Sequence, residues 1–205
     1  MPAPEPTSPA EPLPVRLVNT LWSQRGALRD DLEAPQRAVE WLHDNGFPVT
    51  GVDPQGVDAL VRLRTALRTV AAHLTGDTRE PAPGSTPGPA TDDRVRGDVE
   101  AAVALIDQLS RSAPARHLVL AEGRLTWSAP PAATTVDDAL STLAAAAATF
   151  FTGLDAERLR ACHGPRCIVY FTQDHVRRQW CSPGCGNRAR AARHYRRHQG
   201  DTAVP

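Results

Sequence analysis

Apolar residues recur every three to four positions in four stretches of this chain, and each stretch predicts a helix. Pro35 opens the first, which carries Val39, Trp41 and Leu42 and stops at Asn45-Gly46. Asp53-Pro54 opens the second. Val57, Leu60, Val61, Leu67, Val70 and Leu74 follow on one face, and Gly76 ends it. A third covers 92–109, with Val95, Val99, Val103, Ile106 and Leu109 on one side. The fourth, rich in Ala, covers 135–151 and turns Val136, Leu140, Leu143, Ala147, Phe150 and Phe151 inward. The period falls to two on either side of Glu122-Gly123, so 117–127 predicts a β-hairpin. Two segments carry weaker signals: an apolar run at 17–22, ahead of the acidic Asp30 and Asp31, and a short amphipathic turn at 155–160.

Proline and glycine mark the gaps between these elements. Six prolines fall within residues 1–14, which predicts an extended or disordered tail. Four prolines and two glycines in 77–91 predict a flexible loop. The expected fold is therefore mainly α with one or two short β-hairpins. A helical domain spans 15–152, a small module follows at 153–200, and 201–205 form a tail. Almost no linker separates domain and module, so the junction between them is expected to be rigid.

Four cysteines, all within that module, point to its chemistry. They stand as Cys162-His-Gly-Pro-Arg-Cys167 and Cys181-Ser-Pro-Gly-Cys185, with thirteen residues between the pairs. Two short pairs make two knuckles, and the connecting segment brings them onto one tetrahedral ion. Four thiolates close zinc's coordination shell, as in structural sites; catalytic zinc keeps one position open. Disulfides, or His163 or His175 in place of one cysteine, are the alternatives. The segment between the pairs predicts a second hairpin, 168–171 against 177–180, with Ile168, Tyr170 and Trp180 covering the metal. Ser182 and Pro183 suit the start of a helix whose positive end favours the thiolates.

Charge adds a direction. The chain has zero net charge and all 23 of its basic residues are Arg. Residues 161–205 hold 8 Arg against Asp174 and Asp201, or +6, whereas 1–160 hold 15 Arg against 21 acids, or −6. An Arg-only, Ala- and Pro-rich chain fits a genome of high GC content, such as a bacterial one. At 100° per residue, Arg190, Arg193 and Arg197 fall in one stripe with His194 beside it. Such a stripe suits the phosphates and base edges of DNA. Tyr195, Arg188 and Ala192 lie on the other side. Asn187 is expected to bond around the second knuckle and Arg188 to offset the negative thiolates.

No apolar run approaches membrane-spanning length, and the N-terminus lacks a basic-then-apolar leader. A cytoplasmic location follows, where paired cysteines hold metal more often than they form disulfides. The chain also lacks a Gly-rich phosphate loop, a Gly-x-Ser-x-Gly turn and a His-Glu-x-x-His signature, so no enzyme is expected.

Cys185-Gly-Asn-Arg188, preceded by 178–182 and followed by Ala-Arg-Ala-Ala-Arg-His, resembles the CGNR zinc-finger family. Members commonly carry an N-terminal ABATE domain, a family described as stress-induced transcription regulators. Leu17-Val-Asn-Thr20 resembles that domain's opening motif, and 118–127 fits its hairpin region. The resemblance implies one zinc ion on Cys162, Cys167, Cys181 and Cys185, with DNA met by the helix from Asn187 onward. The family often places four residues between the last two cysteines. This chain has three, a contraction that bears on the aim of Cys185.

A regulator also needs an input. Asn19, Trp22 and Arg25 bring an amide, an aromatic ring and a cation together, the mixture found in small-molecule pockets, so a small effector is one candidate partner. The plainer reading makes Trp22 core, Asn19 a turn cap and Arg25 solvated; Trp41 and Trp127 are likewise read as core. A single finger gains affinity by pairing, so a homodimer through the helical domain is a further expectation. The competing overall reading is a ligand- or protein-binding protein in which the zinc module only staples the C-terminus.

Overall fold

The structure, a computed structural model, describes residues 10–24, 27–79, 99–115, 117–128 and 132–200, apart from the side chains of 198–200. Arg25, Val95, the loop from residue 80 onward, the first nine residues and the 201–205 tail lie outside the described residues.

Helix α1 (Leu13–Val18) leads into the hairpin β1 (Leu21–Gln24) and β2 (Ala27–Asp30), then α2 (Pro35–Asp44) and α3 (Pro54–Thr75). Helix α4 (Val99–Ser110), the hairpin β3 (Leu118–Ala121) and β4 (Arg124–Trp127), and α5 (Val136–Thr152) follow. One 3-10 turn then leads to strand β5 (Leu159–Ala161), which pairs with β6 (Tyr170–Thr172), and α6 (Pro183–Gly200) ends the described chain. The fold is mainly helical with three two-stranded antiparallel hairpins among the described residues.

Local chemistry sets most helix boundaries. The Asp53 carboxylate accepts from Gly56 N–H at 2.7 Å, and Gly76 closes α3 in the left-handed region at φ 58°. Thr135 Oγ1 accepts from Asp138 N–H at 3.1 Å and starts α5. In β3–β4, Glu122 and Gly123 both take positive φ, 49° and 74°, as a two-residue turn with right-handed strand twist requires. One core gathers α1, α2, α3, α4 and α5 around Leu17, Leu42, Leu60, Leu63, Leu67 and Leu143.

Several expectations need correcting. The apolar run at 17–22 splits: α1 ends at Asn19, and a hairpin not anticipated from the sequence begins at Leu21. A short apolar run carries no period that separates the last turn of a helix from a buried strand. The hairpin expected between the cysteine pairs is not formed by 168–171 and 177–180. Tyr170–Thr172 instead pairs backward with Leu159–Ala161, ahead of Cys162. Val103 and Leu74, read as inward, are 51% and 47% exposed, and Trp127, read as core, is 56% exposed. Trp41 is in the core as expected.

The C-terminal segment is fused to the helical body. Leu159, Ala161 and Tyr170 belong to the main core cluster. The Asn19 side chain acts as an extra strand residue beside β6: its Nδ2 donates to Tyr170 O at 2.7 Å and its Oδ1 accepts from Tyr170 N–H at 3.0 Å. Glu11, within the segment read as a tail, is buried; it accepts from Thr172 N–H at 2.8 Å and from Arg178 Nη2 at 3.0 Å.

Arginines of α3 complete the connection. Arg64 and Arg68 lie on the same face as Leu60, Leu63 and Leu67, and both are buried. Arg64 holds the Asp30 carboxylate with two guanidinium nitrogens and donates to Thr20 Oγ1 at 3.1 Å. Arg68 donates to Val18 O at 2.7 Å and to Ile168 O at 2.8 Å, tying α1 to the strand after the first knuckle. Their spacing of four places both on the apolar face of α3. That was the available signal, and an Arg-only composition masked it.

Candidate metal centre

The first knuckle is built by backbone hydrogen bonds: Cys162 N–H donates to Val169 O at 3.0 Å, and Cys167 N–H donates to Gly164 O at 2.9 Å. Arg166 takes a left-handed φ of 59°, which turns Cys167 back toward Cys162. A Cβ on Gly164 would lie 3.0 Å from Cys185 Cβ and 3.2 Å from its sulfur, so only glycine lets the two knuckles close. The second knuckle opens α6. Ser182 Oγ accepts from Cys185 N–H at 3.3 Å, with Pro183 in the first turn, as the sequence predicted.

All four sulfurs lie within 4.8 Å of one another. Cys181 Sγ is 3.4 Å from Cys185 Sγ and 3.7 Å from Cys167 Sγ. Four thiolates about 2.3 Å from one tetrahedral ion stand about 3.8 Å apart, so donor type, number and spacing fit zinc. The short spacing between the last two cysteines therefore leaves Cys185 aimed into the cluster. His163 and His175 are exposed and outside the group. No disulfide joins any of the four cysteines. Hydrogen bonds from Cys167, Cys181 and Cys185 hold the Cys162 thiol far below its ordinary range, and hydrogen bonding to Cys162 pushes Cys181 far up. Zinc takes cysteine as thiolate, so loading the site would release thiol protons.

Val169 and Phe171 pack on the sulfurs with Trp22 and Trp180. Tyr170, expected as a metal cover, points the other way into the main core, because alternate residues of a strand face opposite sides. Trp22 thus belongs to the metal site's apolar wall, and its Nε1 donates to Asp31 Oδ1 at 3.3 Å. Asn19 is fully buried and spends its amide on Tyr170. The Asn19 amide thus faces β6 and Trp22 faces the sulfurs.

Sequence reasoning missed Arg79. Its guanidinium donates to the carbonyls of Cys162 and Cys167 at 3.2 Å each and of Val169 at 3.1 Å, and it stacks 4.6 Å from the Tyr170 ring. Asp77 orients it through Nε at 2.8 Å and also accepts from Tyr170 Oη at 2.6 Å. Burial works against the Asp77 anion, but hydrogen bonds from Arg79 and Tyr170 outweigh it and hold the carboxyl down to about 2. A depressed carboxyl contributes stability above the ordinary carboxylate pKa of about 4 and loses it as pH falls through the folded value. The acid limb of a stability–pH curve between about 4 and 2 is therefore expected to flatten in Asp77→Asn. An unchanged limb in urea melts would remove Asp77 from this role.

Residues 11–154 match the model of the ABATE family, "putative stress-induced transcription regulator", and residues 158–198 match the CGNR zinc finger. The chain belongs to the ABATE family and carries a CGNR zinc finger. The two matches meet within the turn after α5, yet the core runs through that boundary. Neither family description names a catalytic activity. No curated protein matches the chain.

The CGNR signature divides its work. Arg188 Nη2 donates to Cys185 Sγ at 2.9 Å, so this cation offsets thiolate charge. Asn187, expected to bond around the knuckle, accepts from Arg190 Nη2 instead. In Arg188→Ala, zinc affinity is expected to fall about 10- to 100-fold, as for other residues that hold a metal ligand from behind. Competition with a chromophoric chelator measures it, and undiminished affinity would exclude the role.

Helix α6 buries Cys185, Gly186 and Ala189, and half-buries Ala192. From Arg193 through Arg197 every residue is exposed, Tyr195 at 65%. Arg190, Arg193, His194 and Arg197, the residues predicted to meet DNA, are all exposed. Tyr195 and Arg188 are also exposed, so the inward face is the narrow Cys185/Ala189/Ala192 stripe. Among the described residues no helix is long and apolar enough to cross a membrane.

Proposed function

We propose that this ABATE-family protein is a cytoplasmic DNA-binding transcription regulator, in which Cys162, Cys167, Cys181 and Cys185 hold one structural zinc ion. Arg190, Arg193, His194 and Arg197 of α6 contact the nucleic acid. The supporting observation is the exposed Arg-rich half of α6, which continues from the knuckle while the body carries the opposite charge. The metal and the Ser182 cap fix the base of the helix, and its basic end meets phosphates first. Zinc here supplies cross-linking rather than catalysis, because four thiolates leave no position for water or substrate.

A triple Arg190→Ala, Arg193→Ala, Arg197→Ala variant is expected to keep its zinc and melting temperature. The slope of log affinity against log salt would drop by about three, one per lost phosphate contact. Equal affinity and slope in this variant would refute the assignment. The alternative, a ligand- or protein-binding protein in which the zinc module is a staple, draws support from the fusion of the knuckle to the helical body through Arg79, Arg68 and Asn19. It predicts that the triple variant behaves as the wild type in every respect.

A further inference from the structure

Five of the ten exposed large hydrophobic side chains among the described residues lie on the β3–β4 hairpin. The register explains how they combine. Leu118 stands opposite Trp127 and Leu120 opposite Leu125, so all four share one face, exposed by 58%, 56%, 71% and 71%. No hairpin residue belongs to either apolar cluster of the protein. A two-stranded hairpin with no third strand or helix against its apolar face is marginal in water. This one therefore has a face built for burial and none of the described residues packed upon it.

We infer that the protein self-associates through this face. Two hairpins stack about a two-fold axis, with Leu118, Leu120, Leu125 and Trp127 of each copy against the same four residues of the other. Three observations favour a second copy over another partner. A two-fold contact sets each residue near the axis against its own counterpart, which suits a face without charge. Glu122 sits in the turn, and the strand alternation puts Arg124 on the opposite face, so the stack opposes no like charges. Exposed area is sufficient: the four side chains present roughly 500 Å² per copy, or roughly 1,000 Å² for the pair, the lower bound of specific interfaces. The inference concerns association alone and stands whether or not α6 contacts DNA.

Sedimentation of the full-length, zinc-loaded protein over a concentration series tests it with two double variants, Leu120→Glu/Leu125→Glu and Leu120→Arg/Leu125→Arg. The wild type is expected at twice the 22.1 kDa chain mass and each variant at the single mass. An equimolar mixture of the acidic and basic variants is expected to return to twice the mass. Both positions are mostly solvent-exposed in the single chain, so the variants should keep its fold and melt below the wild type only by the stabilisation that association adds. A wild type that stays monomeric at all concentrations, or variants that dimerise as it does, would overturn the inference. So would a monomeric wild type with variants that melt early, which would show the face covered by the protein's own chain.

Discussion

Chelating zinc from the purified protein is expected to unfold residues 158–198 and to lower the melting temperature of the whole chain. The module's own apolar cluster consists of the cysteines, Val169, Phe171 and the edge of Trp180, with Trp22 packed on it from the body, too little to order a segment of this length unaided. Structural zinc supplies on the order of 10 kcal/mol or more of apparent binding free energy in comparable fingers, and that energy is folding energy. The loss would not stay local. Leu159, Ala161 and Tyr170 leave the main core with the module, and Asn19, Arg68 and Arg79 lose carbonyl and amide partners inside the body. Buried polar groups stripped of partners cost about 1–3 kcal/mol each. Calorimetry with and without chelator, followed by zinc readdition, measures the effect. Cys162→Ser should reproduce the chelated state. A melting curve indifferent to chelator would mean that the four cysteines do not hold a structural metal.

Asp30→Ala is expected to cost about 3–5 kcal/mol, the second large effect, because it leaves the Arg64 cation buried without its counter-ion. Arg64 is 1% exposed, and it would keep its hydrogen bond to Thr20 Oγ1. Asp30 also accepts from Leu32 N–H at 2.8 Å, so the alanine loosens the end of β2 as well. Pairing Arg64→Met with Asp30→Asn removes both charges while keeping an acceptor for Leu32. This double variant should recover much of the loss, since buried ion pairs replaced together by apolar groups are often near neutral. Urea unfolding of the two variants decides the point. A cost under about 1 kcal/mol for Asp30→Ala would show that the pair is solvated enough to be dispensable.

Features that depend on a few neighbouring residues are legible in the sequence alone. Pro35, Asp53-Pro54, Gly76, Thr135 and Ser182-Pro183 act within one helical turn, and Glu122-Gly123 acts within one hairpin. The four cysteines were legible for the same reason, since their spacing alone builds two knuckles. Long-range pairing was not. Strand β6 finds its partner across the first knuckle, at Leu159–Ala161, and Asn19 reaches Tyr170 from the other end of the chain. Assuming the wrong partner assigned the wrong strand face to the metal, and Val169 and Phe171 took the place given to Tyr170. Arg64, Arg68 and Arg79 escaped notice because Arg is this chain's only cation, which makes a buried arginine look like a solvated one. Trp127 misled in the opposite sense, since a large apolar residue on an alternating strand reads as core wherever its face is finally buried.

The most direct test of DNA binding is the affinity of the zinc-loaded protein for promoter-region and scrambled duplexes across a salt series. Contacts from the exposed end of α6 predict a steep loss with salt, equivalent to roughly three to five phosphates at a log–log slope of about −0.9 each, and a preference for one sequence. Absence of binding even at low salt would contradict the assignment and leave the basic helix a solvated face.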